Sequence, residues 1–424
     1  MRFVVVGNGI AGNTAADRIR ELDREAEITI VSDQVHSFYT ACALPHYLAG
    51  DLGRRGLFVK ARDDYRKAGM RLLFGRRVVS ISTQEKKVML EGTSVEYDRL
   101  ILAMGSRPIV PPIDGIQLPG VSTFKYLDDA VRIAKEIPET AVVVGSGPIG
   151  IEAAVALRKR GAKVYIIELM GRIMPRLFDD KPASMLSEIL SRHGIEALTG
   201  ERVIGIVGGA NVEGITTDKR TIRCGLIVMA AGMRPNSEIA KQAGVAVALR
   251  GGIIVDRHMQ TNVGDVYACG DCVEAADLIT GAPSMIQLWH NAKEEAEVAA
   301  SNAFGVRRRY AGSINITSLD VFDNHAVSFG NTQADLSSQE GVEVVEKPHG
   351  ERGYHRLVLK DGRIVGAQFV GDLEDMGAVL YTLIRKDRLN ELIEFGEGRP
   401  ATSILQENYR FARFLSARKQ AQQA

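Results

Sequence analysis

Five mostly apolar residues, Arg2–Val6, open the chain, and after the glycine that ends them comes a stretch, Ile10–Leu22, whose apolar positions recur at helical spacing. A second apolar run, Glu27–Val31, follows. Continuous apolar runs of this length suit strands buried on both faces, the condition of a parallel sheet covered by helices. The same order recurs further on: Ala141–Val144, a helix to about Arg160, then Lys163–Ile167. Each repeat also ends alike. Tyr97–Pro108 and Cys224–Asn236 both run apolar strand, A-x-G, basic residue, proline, and 98 residues separate Gly7 from Gly105 where 87 separate Gly145 from Gly232. The chain therefore duplicates a whole βαβ module.

A further apolar strand, Val266–Ala268, stands directly before Gly270 and Asp271 and closes the first module after the second is complete. The chain is expected to leave the first module near Pro112, build the second to about Asn236 and return, with Pro111–Gly120 as the crossing segment. Gln287–Phe304 reads as a helix. From about Ala311 the pattern changes: Tyr354–Lys360 and Arg363–Val370 flank Asp361-Gly362, a type I′ hairpin signal, and helices are expected near Glu374–Arg385 and Ser403–Ala417.

Glycines sit where strand turns into helix in both modules: Gly7, Gly9 and Gly12, then Gly145, Gly147 and Gly150. In a G-x-G-x-x-G turn the first glycine permits the tight turn, the second lets backbone N–H groups approach a pyrophosphate, and the third lets helix pack on strand. The helix N-terminus favours the anion. An acid ends the second strand of each module, Asp33 and Glu168, where a carboxylate accepts hydrogen bonds from ribose hydroxyls. The predicted fold class is α/β: two doubly wound, Rossmann-like dinucleotide-binding domains, residues 1–112 with 237–310 and residues 113–236, plus a C-terminal α+β domain, 311–424.

Charge then narrows the partners. The chain of 424 residues carries 53 basic and 52 acidic residues, a net charge of +1, which argues against a nucleic-acid partner. No apolar run approaches the roughly 20 residues that span a bilayer, and the N-terminus enters a core strand at once, so a cytoplasmic protein without signal peptide or membrane helix is expected. Four cysteines are too few for a disulfide scaffold. No H-x-x-x-H and no pair of C-x-x-C motifs points to a metal.

Together these landmarks resemble the two-dinucleotide-binding flavoproteins of the pyridine nucleotide–disulfide oxidoreductase superfamily, and within it the branch holding NADH oxidases, coenzyme A-disulfide reductases and the flavin portion of NADH-dependent nitrite reductases. The resemblance implies FAD in the first module and NADH in the second. Gly7, Gly9, Gly12 and Asp33, with Ala103 and Gly105 of the first A-x-G turn, would hold the ADP half of FAD, and Gly270 and Asp271 would meet its ribityl chain. Gly145, Gly147, Gly150, Glu168 and Gly232 would hold NADH. Glu168 repels a 2′-phosphate, and Leu169 and Met170 supply no arginine to neutralise one, so NADH is expected over NADPH. By the same resemblance the third domain would form a homodimer interface.

The fate of the electrons depends on His36–Gly50. Cys42-Ala43-Leu44-Pro45 fits the second half of a single-cysteine pattern like S-F-x-x-C-G-L-P-Y-Y, in which the thiol takes electrons from flavin; Ser37-Phe38 stand one residue too far away and Ala43 replaces glycine. Tyr39, Leu44 and Leu48 instead suit the frame Y-x-R-P-x-L-S-K of rubredoxin and ferredoxin reductases, whose arginine and lysine fall here on Ala41 and His46. Cys42 is either a redox thiol or a small packed side chain. His46 either serves the flavin as a proton donor or is a solvated loop residue. Glu152, two residues past the second glycine motif, either lies near the nicotinamide or stabilises the helix dipole. Cys269 and Cys272 form a C-x-x-C read as structural, and Trp289 is expected to pack. The chain lacks the C-x4-C pair and C-terminal His-Pro-Glu of large-disulfide reductases, the histidine of water-forming NADH oxidases in Gly9-Ile10-Ala11, and a Y-A-P-P-F tail like that of coenzyme A-disulfide reductases. The expected activity is an FAD-dependent NADH oxidoreductase acting through Cys42 on a thiol, disulfide or persulfide. The alternatives are a reductase of a small protein electron carrier or iron–sulfur partner, with no role for the cysteine, and an NADH-responsive sensor.

Overall fold

A computed structural model describes residues 1–349 and 353–388. The chain divides into two compact units, one of Met1–Ile109, Lys125–Lys135 and Gly232–Ile314, the other of Val110–Phe124, Glu136–Ala231 and the chain from Asn315.

In the first unit five strands form a parallel sheet in the order Val266–Ala268, Arg99–Leu102, Arg2–Val6, Glu27–Ser32, Met70–Phe74. Phe3–Val6 are buried without alternation, sharing one core with the helices Ile10–Leu22 and Trp289–Phe304 and with Val78, Val88 and Val95 of the short strands inserted later in the module. Each such side chain contributes about 1.5–3 kcal/mol on leaving water. The helices Ile10–Leu22 and Trp289–Phe304 pack side by side, and their buried residues are mostly small, among them Ala11, Ala15 and Ala16 on one and Ala292, Ala296 and Ala299 on the other. Small side chains let the two backbones approach, so a larger one at Ala16 or Ala299 has no room without moving a helix.

The second unit repeats the sheet: Ile195–Thr199, Lys163–Glu168, Thr140–Val144, Leu226–Met229 and Val121–Thr123, again parallel. It also holds a five-stranded antiparallel sheet, Ile316–Val321, Asn324–Gly330, Arg363–Val370, Gly353–Lys360 and Val342–His349. Its Lys360–Arg363 turn has φ of +51° at Asp361 and +72° at Gly362, the two positive values that a type I′ turn requires. The mixed α/β class with Rossmann-like units agrees with the sequence. The helix expected over Glu374–Arg385 runs Met376–Arg385, and the one over Gln287–Phe304 runs Trp289–Phe304; the helix expected at Ser403–Ala417 lies outside the described residues.

Two features differ from the sequence reading. Each module inserts a three-stranded antiparallel meander, Val78–Glu96 in the first and Val203–Arg223 in the second, where no strand order was assigned. The helix Leu127–Lys135, assigned to the second module, groups with the first unit. There Leu127 N donates to Tyr39 Oη at 3.1 Å, and His36 Nε2 lies 2.8 Å from Asp128 Oδ1. No helix among the described residues is long and apolar enough to cross a membrane.

Candidate functional site

The first glycine turn is built by steric necessity at two positions and by openness at the third. Gly7 holds φ +119°, and a Cβ there would lie 2.0 Å from Ala103 O; one on Gly12 would lie 2.0 Å from Gly7 O. A Cβ on Gly9 would meet nothing within 4 Å. The middle glycine therefore answers to whatever approaches from outside, as a pyrophosphate cradle demands. A buried tyrosine braces the loop. Tyr65 Oη donates to Asn13 Oδ1 at 2.8 Å and also lies 3.0 Å from Asn8 Oδ1, while Asn13 Nδ2 donates to Asn8 O and Gly9 O. Burial pushes the Tyr65 phenol up to about 12, so it stays a donor.

This turn opens on a cavity of about 530 Å³ within the first unit, a volume in the usual range for cofactor sites. Gly7, Gly9, Asp33, Ala103, Gly105, Gly270 and Asp271 all line it. Asp33 is exposed at its wall, free to meet ribose hydroxyls. Asp271 Oδ2 accepts from Ser106 Oγ at 2.8 Å and from Lys125 Nζ at 3.3 Å, and its carbonyl accepts from Gln287 Nε2 at 2.9 Å. Lys125 brings a positive charge to the wall, and the sequence reading missed it because it lies in the segment assigned to the other module. Asn236 is a second omission: its Nδ2 donates to Met104 O at 2.9 Å and its Oδ1 accepts from Arg107 at 2.8 Å. Arg107 also grips Glu238, whose carboxyl that guanidinium holds down at about 2.

Cys42 lies on the single turn Ala41–Ala43, directly after the cavity-lining Tyr39, Thr40 and Ala41; it is exposed and does not itself line the cavity. His46 is likewise exposed, with Nδ1 3.9 Å from the Asp51 carboxylate. Cys269 and Cys272 are fully buried and not joined by a disulfide. The Cys272 thiol donates to Leu102 O and Cys269 O, and burial pushes it up to about 12 and Cys269 well above its ordinary value, so neither is a thiolate. Trp289 departs from expectation. It opens its helix at the cavity wall and is 44 % exposed, because the chain turns there from extended Leu288 into the helix with the indole outside the core.

In the second unit the glycine turn has the same construction. Gly145 has φ +104° and a Cβ there would lie 2.3 Å from Ala230 O; one on Gly150 would lie 2.0 Å from Gly145 O; one on Gly147 would meet nothing. Glu168 is 8 % exposed, and its carboxylate accepts from Ser146 N at 3.0 Å, Ser146 Oγ at 2.6 Å and Met170 N at 2.8 Å. Three of roughly four acceptor sites are thus taken by the protein, leaving less for a ribose than the sequence implied. Leu169 and Met170 beside it are exposed. Glu152, in the second turn of the Pro148–Lys159 helix, is pushed up to about 7 by burial and then by the negative charge of Asp320. Gly232 falls instead in the first unit, where its carbonyl accepts from Ile109 N at 2.9 Å beside the pairing of Met233–Pro235 with Ser106–Pro108. Among the described residues no group of three His, Cys, Asp or Glu side chains is placed to hold a metal.

Comparison with known proteins agrees with this construction. Residues 1–296 match the family model described as pyridine nucleotide-disulphide oxidoreductase, and residues 316–388 match that of the rubredoxin NAD+ reductase C-terminal domain. The chain is 29% identical over 431 residues to an NADH oxidase of Methanocaldococcus jannaschii, covering 95% of this chain and 96% of that one. It is 31% identical to a nitrite reductase [NAD(P)H] of Bacillus subtilis across 91% of this chain and 47% of that longer protein. The solved structure of a NAD-dependent persulfide reductase from A. fulgidus superposes with a TM-score of 0.92 at 29% identity, over 99% of this chain and 84% of that one. By the family match over most of its length, the chain belongs to the pyridine nucleotide-disulphide oxidoreductases, and it is an FAD- and NAD(P)H-dependent oxidoreductase.

Proposed function

We propose that this enzyme passes electrons from NADH to a sulfur acceptor, a disulfide or persulfide, through Cys42. The carrying observation is the place of Cys42: exposed, on the turn that continues the cavity wall from Tyr39 to Ala41, within reach of both solvent and the cavity edge. In this reading FAD occupies residues 1–112 with 237–310, NADH residues 113–236, and 311–424 forms the interface of a cytoplasmic homodimer. Gly7, Gly9 and Gly12 cradle the FAD pyrophosphate, Asp33 the ribose, Ala103 and Gly105 the strand end beneath it, and Gly270 and Asp271 the ribityl chain. Gly145, Gly147 and Gly150 cradle NADH, with Glu168 beside its ribose and Glu152 holding a proton near its nicotinamide.

When bound, FAD supplies the two-electron reservoir that NADH fills and that restores Cys42 after each turnover. The Cys42 thiolate attacks one sulfur of the acceptor, forms an S–S bond to it and releases the other sulfur as a thiolate. Overall, one NADH and one proton convert one S–S bond into two thiols and NAD+. His46, exposed near Asp51, supplies that proton in this reading.

The test is Cys42→Ser. Turnover with coenzyme A disulfide or polysulfide is expected to fall at least 100-fold, while NADH-to-ferricyanide activity stays within twofold. Equal loss of both, or loss of neither, removes Cys42 from the reaction. A second reading has its own observation: Trp289, an exposed aromatic at the cavity wall, suits direct delivery to a small protein electron carrier. It is favoured if Cys42→Ser leaves sulfur reduction intact and a rubredoxin or ferredoxin is reduced instead.

A further inference from the structure

Behind the cavity wall stands a buried carboxyl with no part in the reaction described so far. Glu295 lies in the second turn of the Trp289–Phe304 helix and is 3 % exposed. Its Oε2 accepts from Gly270 N at 2.8 Å. Its Oε1 accepts from Ser313 Oγ at 3.0 Å and Tyr310 Oη at 3.3 Å, and those two hydroxyls are 3.0 Å apart. Gly270 and Asp271 line the cavity, and Gly270 is pressed so close to the first glycine turn that a Cβ on it would lie 2.9 Å from Ala11 Cβ. Glu295 is therefore one hydrogen bond away from the wall that would face the flavin.

Among the described residues no cation pairs with it. The ionisable groups facing it are Asp271, Cys269 and Cys272 in the turn and Tyr310 in the following segment, with Glu294 adjacent on its own helix. Lys125 reaches Asp271 rather than Glu295, and Arg18 of the neighbouring helix reaches Ser301, more than a turn further on. A carboxylate buried without a counter-charge is costly, and burial pushes this group up to about 8. Both hydroxyls can turn from donor to acceptor, so the cluster satisfies Glu295 as an acid or as a carboxylate with no change of fold.

We propose that Glu295 is a positioning residue for the flavin: it fixes the Gly270–Asp271 turn through the Gly270 N–H and, on releasing its proton to solvent, places a negative charge behind the cavity wall. The proposal rests on the assignment of FAD to this cavity. A negative charge there opposes added electron density, so bound FAD becomes harder to reduce as Glu295 ionises.

The FAD reduction potential of the holoenzyme is to be measured from pH 6 to 9.5 in wild type and Glu295→Gln, glutamine imitating the neutral acid. The two curves are expected to coincide at pH 6–7 and separate above pH 8, wild type favouring oxidised FAD by about tenfold more, equivalent to about 30 mV for a two-electron couple. Coincident curves throughout overturn the proposal. The apoprotein gives a readout that needs no flavin: an infrared band of a protonated carboxyl that disappears near pH 8 in wild type and is missing from Glu295→Gln. If that variant does not fold, Tyr310→Phe replaces it, since losing a donor to the carboxylate moves the wild-type transition to higher pH; an unmoved transition also overturns the proposal. A protein that binds no FAD sinks the assignment of the cavity, whereas bound FAD with superimposable curves sinks Glu295 alone.

Discussion

The two glycine turns are near copies in backbone and unlike in the acid that accompanies them. In both, the first and third glycines are imposed by carbonyl oxygens of the protein itself, at 2.0 Å for Gly7, Gly12 and Gly150 and 2.3 Å for Gly145, and the middle glycine faces open space. Yet Asp33 is exposed on a cavity wall, while Glu168 is buried and braced by Ser146 and Met170. The residue after the first glycine differs correspondingly. Asn8 is held by Tyr65 and Asn13, whereas Ser146 clasps the acid itself. Duplication thus preserved the cradle and reassigned the carboxylate, from a group turned outward in one copy to an internal strut in the other.

The largest effect expected from this comparison separates the glycines by cause. Gly12→Ala and Gly150→Ala drive a methyl into a backbone carbonyl that cannot yield, and each is expected to destabilise its unit by about 3 kcal/mol or more in denaturant unfolding. Gly9→Ala and Gly147→Ala meet only open space, so their stability is expected to stay within about 1 kcal/mol of wild type. Their loss appears in binding instead, about tenfold or more in FAD affinity for Gly9→Ala and in NADH affinity for Gly147→Ala. A stability loss at Gly9 equal to that at Gly12 would break the distinction.

That same division marks what the sequence made legible. Glycines at strand–helix turns, apolar runs of strand length and the Asp361-Gly362 hairpin are local signals, each contained within a dozen residues, and their elements stand where expected. Tyr65 reaching Asn13, Lys125 reaching Asp271 and Glu295 reaching Gly270 join residues 52, 146 and 25 positions apart. No periodicity announces them. The meanders escaped notice for a different reason: short half-exposed strands such as Thr93–Glu96 carry little apolar pattern. Lys125 had the further disadvantage of a segment that leaves its neighbours in sequence, Val121–Thr123 in one unit's sheet and Leu127–Lys135 in the other unit.

A middle-sized effect is expected at the two acids. Glu168→Ala strips the partner from the buried N–H and hydroxyl of Ser146 and from the half-buried N–H of Met170, and a buried donor left unpaired costs about 1–3 kcal/mol, so a loss of about 2–3 kcal/mol is expected together with a weaker preference for NADH. Asp33→Asn removes an exposed charge with no buried partner, and stability is expected to stay within about 0.5 kcal/mol while FAD affinity falls. Thermal unfolding of the two apoproteins side by side checks the contrast. Equal stability losses would mean that the two carboxylates do the same work after all.

The smallest effect sharpens the comparison one helical turn further in. Two residues past the third glycine the first copy carries Thr14 and the second Glu152. A neutral hydroxyl in one turn is matched by a carboxyl in the other that burial and Asp320 push up to about 7. The folded second unit therefore holds a proton that the unfolded chain has already released above the ordinary carboxyl range near 4.5. Stability from this group is full below about pH 4.5, declines as pH rises toward 7 and is level above it. Glu152→Gln removes the decline, so the variant's advantage over wild type is expected to grow from pH 5 to 7 and hold at about 1–3 kcal/mol beyond. Asp320→Asn acts in the same direction by less, because burial is the larger cause and Asp320, 2.7 Å from His325, only adds to it. Thr14→Ala, at the matching place in the first copy, is expected to show no such dependence. A pH-independent difference for Glu152→Gln would mean that the carboxyl is ionised at pH 5 as in free chain, and the asymmetry between the two helices would then be one of sequence without electrostatic consequence.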